Sequence, residues 1–204
     1  MKALLLRISR SQYMELRKNN RNFFDAYSLH KTIYNLFPKK DGQTRDFLYR
    51  FIDSDVAEKR ILIFSEDAPL ECDFGSLEVR DVPESFLDME YYGFDVQINP
   101  VKRSKDSGKI VPVKGRDELS AWFTAKAPSF GFEVLPGSLS VGDTNIVQFN
   151  KDGKKVTLAK AIFTGRMKVT DRELFKKSVK EGVGKGKAFG FGLLQVMPLR
   201  NIPE

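Results

Sequence analysis

Val156-Thr-Leu-Ala-Lys160-Ala-Ile-Phe-Thr-Gly-Arg-Met-Lys-Val169, Asp171-Arg-Glu-Leu-Phe-Lys-Lys-Ser-Val-Lys-Glu181 and Gly182-Val-Gly184-Lys-Gly186-Lys-Ala-Phe189-Gly190-Phe191-Gly192-Leu-Leu-Gln-Val196 follow one another with only Thr170 between. The first segment reads as a strand. Asp171 can cap a helix reaching Glu181, because its carboxylate can accept from the first free N–H groups. The third is a glycine loop running into a strand over Leu193–Val196. Upstream, Asn150-Lys-Asp-Gly-Lys154 is a hairpin turn that pairs Asn145–Phe149 with Val156–Val169, since Asp-Gly tolerates the positive φ angles of a tight turn. Before it stand a helix over Arg116–Lys126, around Leu119, Trp122 and Phe123, and a strand and turn over Phe130–Val141.

The first half has the same rhythm. Lys2–Ser9 alternates like a strand, Asp25 can cap a helix that Pro38 stops, and Arg45–Ile52 and Arg60–Ser65 read as strands. Leu77–Val82 and Tyr91–Ile98 add two more. Pro100 to Gly115 is basic and turn-rich. The expected architecture is α+β, two tandem ferredoxin-like (RRM-like) βαββαβ domains. Their expected bounds are 1–99, a linker or basic loop over 100–115, and 116–204.

Composition narrows the function. The chain has 204 residues, 41% hydrophobic and 30% charged, enough for one large or two small cores. No apolar run approaches the roughly 20 residues of a membrane span, and a cytoplasmic protein with no membrane partner is expected. One cysteine and one histidine exclude an internal disulfide and a Cys/His zinc site. Residues 1–100 carry 14 Lys/Arg and 17 Asp/Glu, a balance of −3; residues 101–204 carry 20 and 10, a balance of +10. Such asymmetry suits a polyanion on the basic half.

Five of the fifteen glycines fall in residues 182–192, with two lysines and two phenylalanines among them. Such a loop is either a cradle for a phosphate or a structural turn. It is neither a dinucleotide fingerprint nor a P-loop, since neither spacing is met. His30 lies on the first long helix beside an apolar face of Leu29, Ile33, Leu36 and Phe37, with Tyr27 one turn before it and Tyr34 one turn after. An imidazole there is either a half-buried surface residue or the proton carrier of a site. With RNA as the polyanion, the 2′-hydroxyl can attack the adjacent phosphate. A histidine can move the proton at neutral pH, a tyrosine hydroxyl can assist, and a lysine can offset the added charge. No metal is needed for that scheme.

Four stretches carry a family resemblance. They are Tyr27–Pro38 with Arg45–Arg50; Asn99-Pro100-Val101-Lys102; Gly108-Lys109-Ile-Val-Pro112-Val through the Trp122 helix to Gly131-Phe132; and Leu158 through Pro198. In these the chain resembles CasE, the endoribonuclease that processes CRISPR RNA in type I-E systems. The resemblance implies cutting of precursor CRISPR RNA at the base of the repeat hairpin, without metal or other cofactor. It implies retention of the mature crRNA and assembly with the other subunits of a type I-E surveillance complex. It assigns proton transfer to His30 and Tyr27. The expected RNA contacts are Lys102, Arg103, Lys151, Lys154, Lys155, Lys160, Gly184, Lys185, Gly186 and Lys187. Where family members often have Pro-Ala, this chain has Lys185-Gly186. Arg45 and Arg50 are expected either to flank the RNA or to support the first domain, and Phe189, Phe191 and Trp122 to stack on bases or to lie in the core. Two other readings stay open: a non-catalytic hairpin-binding subunit on the same fold, and a small-nucleotide enzyme using the glycine loop.

Overall fold

A computed structural model describes residues 1–19, 25–38, 46–52 and 57–200. The elements in chain order are β1 (Lys2–Ser9), α1 (Arg10–Asn19), α2 (Ala26–Tyr34), β2 (Phe47–Ile52), β3 (Glu58–Ser65), β4 (Ser76–Asp81), β5 (Tyr91–Ile98), β6 (Val101–Arg103), β7 (Ile110–Pro112), α3 (Arg116–Lys126), β8 (Phe132–Val134), β9 (Ser140–Lys151), β10 (Lys154–Val169), α4 (Arg172–Glu181) and β11 (Leu194–Pro198). Two main antiparallel sheets result, with orders β2-β3-β1-β4 and β11-β5-β10-β8, β9 joining the second by pairing with β10, and β6 and β7 form a small third sheet. With β6, β7 and β9 left aside, the strands of each unit lie in the order fourth-first-third-second, the ferredoxin-like order expected from the sequence. No helix among the described residues crosses a membrane by length and apolarity.

The local signals act as their chemistry predicts. Asp25 accepts from the N–H groups of Tyr27 (2.9 Å) and Ser28 (2.7 Å), fixing the start of α2. Asp171 accepts from Leu174 N–H at 3.0 Å and starts α4. Strand β1 buries alternate residues Leu4, Leu6 and Ile8 against Leu29 and Ile33 of α2. In the second unit Tyr92, Val96, Phe123, Phe163 and Phe175 are fully buried in one cluster. Each such side chain removed from water contributes about 1.5–3 kcal/mol before entropy is counted.

Two expectations change. Residue 99 is not a boundary between sheets, because β5 pairs with β10 and β11 and is a central strand of the second unit. Residues 100–115 therefore do not link two domains. They hold the β6–β7 hairpin, inserted between β5 and α3. Alternation marks a strand but not its partner, and β5 finds its partners some 70 to 100 residues downstream. In the first unit, residues 66–75 between β3 and β4 contain no helix, so the second helix of the motif is replaced by a loop.

A long arm positions the site. Residues 161–168 of β10 pair with β5, whereas Lys154–Lys160 pair only with β9. The tip of this hairpin reaches α2 of the first unit: Tyr27 Oη donates to Asp152 at 3.0 Å.

Candidate active site

His30, Tyr27, Tyr34 and Lys31 from α2, Lys151 from the hairpin tip, and Phe189 from the glycine loop line one cleft of about 430 Å³. Three separate elements thus meet at the only imidazole. The His30 ring is half-buried, with its Nδ1 covered. It stacks on Phe47 at 6.1 Å and meets the edge of Phe189 at 6.4 Å. An aromatic floor of this kind limits ring rotation and keeps one side of the imidazole toward the cleft.

The hairpin tip is shaped by its sequence. Asp152 and Gly153 have φ of 49° and 75°, the two positive values of a type I′ turn, which Asp-Gly accepts with little strain. Lys151 and Lys154 are directly opposite across the ladder, and Phe149 opposite Val156, so these four share a face. Phe149 on that face packs on Phe189 at 4.5 Å. Lys155, opposite Asn150, belongs to the other face, and Lys160 lies farther down the arm opposite Asn145.

The glycine loop has two parts. Its ends are structural: Gly182 and Gly190–Gly192 are buried, and Val183 N–H donates to Gly192 O at 2.8 Å. Gly190 at φ 81° lets the loop lie on the Tyr49 ring. The Tyr49 hydroxyl stands 3.2 Å from Ala26 O and 3.1 Å from Ala188 O, joining the start of α2 to the loop. Its tip, Gly184-Lys185, is exposed, with Gly186 and Lys187 half-buried behind it. A short 3₁₀ turn over Lys187–Phe189 then delivers Phe189 to the cleft.

Not every expected residue gathers here. Lys102 is exposed on β6 and ion-paired with Glu118 at 2.8 Å; Arg103 donates to Gly108 O at 2.8 Å. Phe191 is fully buried, as a core residue, and Trp122 packs against the second core. Arg50 is buried and pairs with Asp95 at 2.5 Å, so it supports the seam between units. Arg45 lies outside the described residues. Two residues escaped the sequence reading. Lys31 places its ammonium 4.2 Å above the Tyr27 ring, a contact implied by its i+4 position. Asp152 accepts the Tyr27 hydroxyl, a pairing across 125 residues that no local pattern signals. Among the described residues no cluster of His, Cys, Asp and Glu could hold a metal ion.

The family model described as "CRISPR associated protein" matches residues 4–198. CRISPR-associated endoribonuclease Cse3 of Thermus thermophilus is 36% identical over 115 residues, 52% of this chain and 54% of that protein. CRISPR system Cascade subunit CasE of Escherichia coli is 25% identical over 193 residues, 86% of this chain and 93% of that one. The solved structure of Thermus thermophilus Cse3 bound to an RNA representing a pre-cleavage complex superposes with a TM-score of 0.80 over 97% of this chain and 99% of that chain, at 22% identity, a likeness of fold. The chain belongs to the CRISPR-associated protein family, in the CasE group that Tyr27–Pro38 and Leu158–Pro198 resemble.

Proposed function

We propose that the chain is an endoribonuclease that cuts precursor CRISPR RNA at the base of its repeat hairpin and needs no metal to do so. The observation that carries this reading is the meeting of His30, Tyr27, Lys31 and Lys151 around one open cleft at the tip of a basic arm. The 2′-oxygen attacks the neighbouring phosphorus, the P–O2′ bond forms, and the P–O5′ bond breaks. A proton leaves the 2′-hydroxyl and one is delivered to the 5′-oxygen. The products are a 2′,3′-cyclic phosphate, or the 3′-phosphate from its hydrolysis, and a 5′-hydroxyl. His30 is the group suited to proton transfer, with the Tyr27 hydroxyl as its partner. Lys31 and Lys151 supply the charge that offsets the phosphorane. Lys154, Lys155, Lys160, Lys102 and Arg103, with the Gly184–Lys187 tip, hold the RNA backbone. A-form RNA is gripped by shape and phosphate rather than read in its deep groove.

The relatives' names support the substrate class and a place among the subunits of a type I-E surveillance complex; the proposal adds that the protein keeps the mature crRNA and works in the cytoplasm. The test incubates the protein with its host's repeat RNA in EDTA and identifies the ends. A 2′,3′-cyclic or 3′-phosphate with a 5′-hydroxyl is expected, and a 2′-deoxy nucleotide just upstream of the cut should block it. His30→Ala should slow cleavage about 10²- to 10⁴-fold with hairpin affinity retained. RNA that is bound but never cut would make the chain a hairpin-binding subunit. Cleavage unchanged in His30→Ala would remove the assigned role.

A further inference from the structure

The hairpin β6–β7 and the arm β9–β10 enclose a second cleft, of about 510 Å³, apart from the His30 site. Buried Leu119 and Asn99 form its base. Ile110 and Ile146 stand at its rim with 54% and 66% of their surface exposed. Lys114 and Lys160 complete the rim. Two exposed isoleucines facing one cleft are an unusual use of apolar surface, and the adjoining lysines make it a poor seat for a cation.

The decisive group is Asn99. The residue is 7% exposed, yet its Oδ1 meets no hydrogen-bond donor among the described residues. A buried acceptor left without a donor is unfavourable, and a ligand bearing an N–H relieves that cost. The cleft volume falls in the range of about 300–1,000 Å³ typical of small-ligand sites. A planar base fits the chemistry: its faces lie against the isoleucines, an N–H of its edge donates to Asn99, and its phosphate meets Lys160 or Lys114. Because the Oδ1 is covered, the residues around it must part for the base to reach it.

We propose that this cleft binds one unpaired nucleotide of the RNA, its base lying against the isoleucines and an N–H of its edge donating to Asn99. The inference rests on the RNA reading above and adds a contact to a base away from the cut. Asn145 beside Lys160 and Lys151 in the active cleft are six residues apart on β9, about 20 Å along a strand. The bound base therefore belongs to single-stranded RNA flanking the hairpin, several nucleotides from the scissile phosphate.

The test measures affinity at fixed salt for the repeat hairpin alone and for the same hairpin carrying six-nucleotide A, U or abasic extensions at either end. For the parent protein an A or U extension at one end should tighten binding about tenfold and the abasic extension clearly less. Asn99→Leu should abolish that gain while hairpin-only affinity stays unchanged. Ile146→Ser, at an exposed position that does not threaten folding, should do the same. Equal gains from the base-bearing and the abasic extensions would reduce the effect to backbone charge and overturn the proposal. A gain that survives in both variants would overturn it too. If no extension helps, the cleft is left to a protein partner and the proposal fails while the function stands. Failure of the parent protein to bind even the bare hairpin would end both.

Discussion

At the scale of single residues, the contact between Tyr27 and Asp152 matters most for the chemistry. The tyrosine hydroxyl donates to a carboxylate at the mouth of a cleft proposed to receive a phosphate. An anion there repels the substrate while it holds the tyrosine. Asp152→Asn keeps a side chain that tolerates the positive φ of the turn and removes the charge. At separations of several ångströms in water-like surroundings this is worth a two- to fivefold gain in RNA affinity, on the order of 0.5–1 kcal/mol. Filter binding at low salt reads it. Weaker binding instead would mean that the carboxylate organises the site. A second residue offers a pH test. Burial pushes the Cys72 thiol above its ordinary value, and this outweighs the hydrogen bonds from the Phe74 and Gly75 backbone that favour the thiolate. The raised value keeps the unreactive protonated form to higher pH. Alkylation by iodoacetamide, followed by mass spectrometry, should therefore reach half its plateau rate at a higher pH than for free cysteine.

At the scale of elements, the glycine loop and the hairpin turn use the same residue for different reasons. A Cβ on Gly192 would sit 2.3 Å from Val183 O at a φ of 81°, whereas one on Gly153, at φ 75°, would meet nothing within 4 Å. Gly192→Ala should thus cost about 3 kcal/mol or more, from the left-handed conformation and the backbone clash together. Gly153→Ala should cost only the conformational part, about 1 kcal/mol. Urea denaturation of the two variants checks the ratio. Similar losses would mean that the loop yields where the packing says it cannot. The contrast also explains what the sequence disclosed. Asp25, Asp171 and Asp152-Gly153 act on neighbours within three residues, so the starts of α2 and α4 and the hairpin turn were legible. Tyr27 and His30 were legible together because a helix fixes their spacing. Helix α1 was missed: residues 10–19 hold mostly polar and charged side chains, leaving only a weak apolar stripe around Tyr13 and Leu16. The placement of β5 was missed because its partners lie far away in the chain. The bringing of Lys151 and Phe189 to His30 was equally hidden, since it depends on how two units meet.

At the scale of the whole molecule, that meeting is made along β2. Its residues Phe47, Leu48, Tyr49 and Arg50 are all buried, although the strand is the edge of its sheet. Phe47 and Tyr49 serve the first core, while Leu48 lies under Gly182 and Arg50 reaches Asp95 of β5. The Arg50 side chain is 9% exposed and that of Asp95 39%, and the asymmetry has a consequence. Asp95→Ala strands a guanidinium that water scarcely reaches, and a cost of about 2 kcal/mol is expected, below the figure for a fully buried pair because the carboxylate is partly solvated. Arg50→Met leaves a carboxylate that water can solvate and puts an apolar chain where the Arg50 stem packed, so its cost should stay below about 1 kcal/mol. The same seam predicts that both units unfold together, since opening either one exposes Leu48 and the buried ends of the glycine loop. Circular dichroism and tryptophan fluorescence from Trp122, which reports only the second unit, should then give one coincident urea transition in the parent protein. In Asp95→Ala the midpoint should fall with the two signals still superimposed. Separate midpoints for the two signals would show that the units are independently stable, and that His30 and Lys151 are held together only by the hairpin tip.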